Sequence, residues 1–210
     1  MSKVALVGYS GHAYVVYETL NQAGYEIVGY FEKASIQKNP FNLKYLGYER
    51  DHKAISKVVD TAFFPAIGDN NIRRKITEFL LDANYQIANA ISPFASISTL
   101  SVIQAGVLVC RGACINPFAE IQTGVILNTG VIIEHECVVS EFVHISPGAV
   151  LAGNVFVGKN SWIGANAVVK QETRIGNNVI VGAGSVVLND IPDNEIWVGN
   201  PAKKIRHTYS

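Results

Sequence analysis

The chain contains no run of about 18 apolar residues, so nothing in it reads as a transmembrane helix. A secretory pattern is missing too: after Lys3 only Val4 to Val7 precede a glycine turn, and a cytoplasmic location is expected. Cysteine is scarce. Cys110, Cys114 and Cys137 form an odd set without paired spacing, which excludes a disulfide framework and a cysteine zinc site. All three are expected to be structural, and no metal is expected. Charge of either sign is sparse at 16% and sums to +0, which argues against nonspecific nucleic-acid binding. The hydrophobic share is 49%, and it is not spread evenly.

Every sixth residue from Ile91 through Val187 is aliphatic, without a break in register. Four residues after most of these stands a second small or aliphatic residue, as at Ala113, Val125, Cys137, Ala149 and Ala167. A period of six satisfies neither a helix of 3.6 residues per turn nor plain alternation. It fits a parallel β-helix, a prism wound from short strands with one aliphatic residue per side pointing to the axis. Gly and Asn recur where corners belong, in Gly158-Lys159-Asn160, Gly164-Ala165-Asn166 and Gly176-Asn177-Asn178, and left-handed backbone is expected there.

Residues 1–90 follow another pattern. Lys3 to Gly8 reads as a buried strand, Ala13 to Ala23 as a helix stopped by Gly24, and Tyr25 to Phe31 as a second strand, a βαβ start. Thr61 to Ile67 and Gln86 to Ala90 read as further strands, with a helix over Ile72 to Ala83 capped by Asp69 or Asn70. The reading is a small Rossmann-like parallel sheet over 1–90, then an all-β domain over 91–210 whose tail caps it. In an open parallel sheet, ligands bind beyond the carboxyl ends of the strands. Here those ends carry Gly8-Tyr9-Ser10-Gly11-His12, Glu32-Lys33 and Gly68-Asp69-Asn70. Gly8 to Gly11 before a helix N-terminus suits a phosphate but is not a full dinucleotide fingerprint. Arg73, one turn into its helix, is a second candidate phosphate contact.

Two histidines lie in the repeat, His135 within Glu134-His135-Glu136 and His144 within Phe142-Val143-His144. Neither takes an interior position, so both are expected on the outer surface. Flanking carboxylates favour a protonated imidazole, which suits His135 as a general base.

These segments carry a resemblance. The repeat resembles the left-handed parallel β-helix acyltransferases. The whole chain is similar to the bacterial nucleotide-sugar acetyltransferases of the bacillosamine and sialic-acid pathways. The segments that match are Gly8 to His12, Ala66 to Asn70 with Arg73, Val125 to Thr129, Ile133 to Val138, Glu141 to Ala149, Leu151 to Val155 and Val198 to Lys203. The resemblance implies that His135 is the catalytic base and that Glu136 raises its basicity. It implies that His144 contacts acetyl-CoA, with Gly153, Ala165 and Ala183 along the pantetheine arm. It places Gly8, Ser10, Gly11 and His12 at the sugar-nucleotide diphosphate, Glu32 and Lys33 near the nucleoside, and Gly68 and Arg73 by the sugar or phosphate. It implies a homotrimer with active sites between subunits. Two departures stand out: Glu32-Lys33 where some relatives have two acids, and Tyr9 in place of a smaller residue.

The expected activity is acetyl-CoA-dependent N-acetylation of the 4-amino group of a UDP- or dTDP-linked 4-amino-4,6-dideoxy or trideoxy sugar. The alternative is O-acetylation of sialic acid or a surface polysaccharide. A third reading is a non-enzymatic β-helix scaffold, against which the intact Glu134-His135-Glu136 argues.

Overall fold

The computed structural model describes residues 2–208. The chain divides into two compact units, Met1–Pro93 and Phe94–Ser210, three residues beyond the expected boundary.

In the first unit, β1 (Lys3–Val7), β2 (Glu26–Phe31), β3 (Tyr45–Gly47) and β4 (Thr61–Pro65) form one parallel sheet in the order β3-β2-β1-β4. Val4 to Val7 are buried, as an unbroken aliphatic run in a covered parallel sheet should be. The chain leaves β1 on one side for β2 and returns on the other at β4. That reversal opens a crevice at their carboxyl ends. Helix α1 (Gly11–Gln22) follows β1, and α3 (Asn70–Asp82) follows β4; the short α2 (His52–Ile55) lies between β3 and β4. Of the strand expected at Gln86 to Ala90, Ile87 makes one parallel bridge to Phe63 and Ala90 opens a two-residue strand, Ala90–Ile91. Phe31, Phe63, Ile76 and Leu80 pack together in the core.

The two long helices begin differently. Asp69 caps α3 by accepting the Ile72 N–H at 2.8 Å. Ser10 stands at the N-cap of α1 and makes no side-chain cap. Ser10 therefore gives α1 no side-chain acceptor of the kind that Asp69 gives α3.

The second unit is a left-handed parallel β-helix with three flat sides. Two-residue strands on one side, such as Cys114–Ile115, Ile132–Ile133 and Val150–Leu151, pair with the strand of the next coil. The second side holds Glu120–Ile121, Val138–Val139 and Phe156–Val157, and the third Ile126–Leu127, His144–Ile145 and Trp162–Ile163. The second residue of each pair points inward, and from Val109 through Val187 all are buried. Cys137 fills an interior place and Cys110 is buried; burial pushes both thiols up to about 11. Cys114 is half-buried on an outer face.

The corners are left-handed as expected, and the structure shows at which residue. In the three cited triplets the left-handed residue is the asparagine: Asn160, Asn166 and Asn178 have φ of 60°, 55° and 53°. The glycines answer a different demand. A Cβ on Gly158 would meet the Gly176 carbonyl carbon at 2.6 Å, and one on Gly164 the Gly182 carbonyl carbon at 2.6 Å. They allow adjacent coils to stack. After the last coil, Glu195–Val198 and Lys203–His207 close the unit as an antiparallel hairpin.

Because interior places are fully buried, truncation there should leave a cavity. Leu151→Ala is expected to destabilise the β-helix by about 2–5 kcal/mol, read as a lower urea midpoint with unchanged far-UV circular dichroism before the transition.

Candidate active site

His135 and Glu136 form a corner between the first and second sides of the prism. The turn puts Glu136 in the left-handed region at φ 61°. Its carboxylate Oε2 then lies 3.0 Å from His135 Nδ1. Both side chains face solvent, with 58% and 61% exposed. A carboxylate on Nδ1 selects the tautomer with the proton there, which leaves the Nε2 lone pair outward as a proton acceptor. One coil later, Gly153 lies beneath the ring. A Cβ on Gly153 would meet His135 Cε1 and Nε2, each at 2.6 Å. Gly153 was expected along the pantetheine arm; in this chain its bare Cα is also the floor on which the base rests.

His144 departs from the expected open surface. It occupies an outward register position yet is only 5% exposed. Its Nε2 lies 3.3 Å from Asn128 Nδ2, and its ring sits 4.1 Å from the Trp162 ring. Asn128, His144 and Trp162 thus stack over successive coils. Ala165 and Ala183 fall at the corner between the third and first sides, a different corner from Gly153.

In the first unit, the crevice is a cleft of about 450 Å³. Of the expected substrate contacts, Gly8, Ser10, Glu32 and Lys33 line it. Glu32 accepts the Tyr9 N–H at 3.3 Å and the Lys33 N–H at 3.1 Å, which fixes its carboxylate across the strand ends. Sequence reasoning missed Tyr48, Glu49, Arg50 and Lys75, which also line it. The first three follow β3, and a three-residue strand left too faint a pattern to mark its carboxyl end. Lys33, Arg50 and Lys75 bring positive charge to the cleft.

Gly11, His12, Gly68 and Arg73 do not line that cleft, and three of them gather elsewhere. A Cβ on Gly68 would stand 3.7 Å from His12 Cγ. Arg73, expected to meet phosphate, is instead 1% exposed. Its guanidinium donates to the Ile67 and Gly68 carbonyls at 3.2 and 3.0 Å and to Asn70 Oδ1 at 2.9 Å. It holds the turn after β4, because a buried guanidinium must spend its donors on nearby carbonyls. Burial, aided by Arg73, lowers His12 to about 4, so His12 is neutral at physiological pH. Among the described residues no cluster of His, Cys, Asp or Glu is arranged to hold a metal. No described helix is long and apolar enough to cross a membrane.

The low His12 value sets a pH dependence. An unfolded histidine takes up its proton near 6.5, whereas folded His12 resists until about 4. Its contribution is complete above pH 6.5 and is lost as pH falls toward 4. Between pH 7 and 5 the native chain should lose about 2 kcal/mol more than His12→Gln. Equal losses in urea titrations of the two proteins would refute this.

Residues 3–80 match the PglD N-terminal domain family, and residues 154–189 the bacterial transferase hexapeptide family (six repeats). The acetyltransferase domain of PglB from Neisseria gonorrhoeae FA1090 is 33% identical over 98% of this chain and 100% of its own, with a TM-score of 0.90. That domain has also been solved in complex with acetyl coenzyme A. A histidine-to-asparagine mutant of perosamine N-acetyltransferase from Caulobacter crescentus, in complex with CoA and GDP-perosamine, is 32% identical over 98% of each chain, with a TM-score of 0.93. A putative acetyltransferase of Staphylococcus aureus (strain COL) is 42% identical over 55 residues, which span only 28% of its length. With one relative matched from end to end, and with the PglD-type first unit followed by hexapeptide coils, the chain belongs to the bacterial nucleotide-sugar N-acetyltransferases of the left-handed β-helix, hexapeptide-repeat family.

Proposed function

We propose that the chain transfers the acetyl group of acetyl-CoA to the 4-amino group of a nucleotide-linked 4-amino-4,6-dideoxy or trideoxy sugar, with His135 as general base. The observation that carries this reading is the 3.0 Å His135–Glu136 pair over the bare Gly153, both side chains more than half exposed. The amine attacks the thioester carbonyl as Nε2 accepts its proton. The imidazolium so formed is stabilised by Glu136, and the proton passes to the departing CoA thiolate. Each group returns to its starting state, and no acyl-enzyme is required.

For the nucleotide, the cleft of the first unit supplies the uncapped N-terminus of α1 beside Gly8 and Ser10, and the cations Lys33, Arg50 and Lys75. That combination suits a diphosphate. It favours a nucleotide-linked acceptor over free sialic acid or a polysaccharide. The UDP- or dTDP-linked form rests on the resemblance alone, and no residue of the cleft speaks for a pyrimidine. A homotrimer with sites completed by neighbouring chains is also part of it. Its support is the flat apolar outer surface of the first side, where Cys114, Ile132, Val150 and Val168 point outward and are only partly buried. His144, Ala165 and Ala183 are assigned to acetyl-CoA on the resemblance.

Thiol release from acetyl-CoA with a panel of nucleotide-linked 4-amino sugars tests the activity. His135→Ala is expected to lower turnover at least about a hundredfold, as loss of a general base does. Release with sialic acid or a polysaccharide instead would move the reading to O-acetylation. Full activity in His135→Ala would sink the mechanism. Gly153→Ala should lower kcat at least about tenfold with little change in Tm, because the added methyl meets the imidazole and displaces the base. An unaltered kcat would show that the ring needs no such floor.

A further inference from the structure

The cleft in the first unit contains a carboxylate that the proposed chemistry leaves unused. Glu49 lies two residues past β3 and lines the cleft, yet it is only 5% exposed. Its own backbone N–H is the donor that reaches it. Among the described residues it forms no ion pair and takes no hydrogen bond from another side chain. The charges that act on it, Glu32, Arg50 and Lys33, all line the same cleft, so its carboxylate belongs to that space. Burial pushes its carboxyl up from the usual range, with Glu32 adding to the effect. A half-satisfied carboxylate at low exposure keeps acceptor capacity open, and a ligand that supplies donors fills it.

We propose that Glu49 is the base-reading residue of the cleft and that the nucleotide it selects carries guanine. The assignment rests on the nucleotide-linked acceptor proposed above. It follows from the hydrogen-bonding edges of the bases. A carboxylate accepts through two adjacent oxygens and donates nothing. Guanine presents two adjacent donors, N1–H and the 2-amino group, which one carboxylate grips with both oxygens. Uracil and thymine present one N–H flanked by two carbonyl oxygens, which a carboxylate repels. Adenine and cytosine each present one amino donor next to a ring-nitrogen acceptor. Only guanine satisfies both oxygens at once. The position suits the task as well. Gly8 and Ser10 at the start of α1 are the phosphate end of the cleft, and Glu49 lies past the carboxyl end of β3, the sheet's far edge from β4. Glu32, at the end of β2, stands between them in strand order.

The test is calorimetric titration of GDP, IDP, UDP and dTDP into the full chain and into Glu49→Gln. IDP lacks only the 2-amino group. The native protein is expected to bind GDP at least tenfold more tightly than UDP or dTDP, and about tenfold more tightly than IDP. Glu49→Gln should weaken GDP at least tenfold, abolish the difference between GDP and IDP, and bind UDP more tightly than the native protein does. Equal or tighter binding of UDP or dTDP by the native protein overturns the inference without touching the transfer reaction, and it does so independently of any variant. A retained GDP preference in Glu49→Gln overturns it too. If none of the four nucleotides binds, the nucleotide-linked reading falls and the base assignment with it.

Discussion

Coil geometry governs the second unit. A strand of two residues and a corner of four make one side, and three sides bring the chain back beneath itself, so a strand N–H meets the carbonyl of the residue 17 positions on in the next coil (His144 to Ser161, Trp162 to Val179). Side chains are then fixed in columns. Hydrogen bonding between coils holds the spacing, and aliphatic residues fill the axis, so no column can shift alone. The relation of Gly153 to His135 is a product of this stacking. The base and its floor are distant in sequence and touch because the repeat admits no other register.

The same geometry demands left-handed backbone at one place in each corner, and the three columns of corners answer differently. Between the third and first sides the residues are Gly112, Gly130, Gly148, Asn166 and Gly184. Glycine and asparagine are the residues that adopt this conformation at least cost. The column containing Glu136 has no glycine in that place: Phe118, Glu136, Asn154 and Glu172 have φ of 63°, 61°, 55° and 63°. A side chain of this kind in the left-handed region costs roughly 1–2 kcal/mol. The interior packing of each coil is large enough to absorb it. For Glu136 the return is visible, since the left-handed turn swings its carboxylate back onto the preceding imidazole. Strain of this sort persists where the surrounding structure over-determines it, and a rigid stack of coils does so.

The repeat was legible because its period is an arithmetic property of the chain, and so were the inward residues, down to Cys137. That His135 and Glu136 stand at an exposed corner was legible because the hexapeptide register puts both outside the interior. What escaped depends on contacts between coils or on very short elements. Gly158, Gly164 and Gly176 signalled turns, but the close approach that requires them involves residues in the next coil. His144 occupies an outward position, and its burial against Trp162 cannot be read from its own segment. Arg73 had the spacing of a phosphate ligand; only the fold shows that the Ile67 and Gly68 carbonyls claim its donors. Glu49 follows a strand of three residues, too short to announce that its carboxyl end opens into the cleft.

A net charge of +0 conceals a division of labour between the two units. Lys33, Arg50 and Lys75 line the cleft of the first unit and outnumber its carboxylates, Glu32 and Glu49. At the corner of the β-helix the charges have the opposite sign, with Glu134 and Glu136 on either side of His135. A diphosphate is attracted to the first environment and repelled by the second. An amine carries positive charge at neutral pH, so the carboxylates that repel the phosphates attract the end of the substrate that must react. In the proposed transfer it is the neutral amine that attacks, and His135 Nε2 takes the one proton that the nitrogen sheds as the amide forms. The zero net charge is therefore a sum of unlike local fields, each fixed within its own unit.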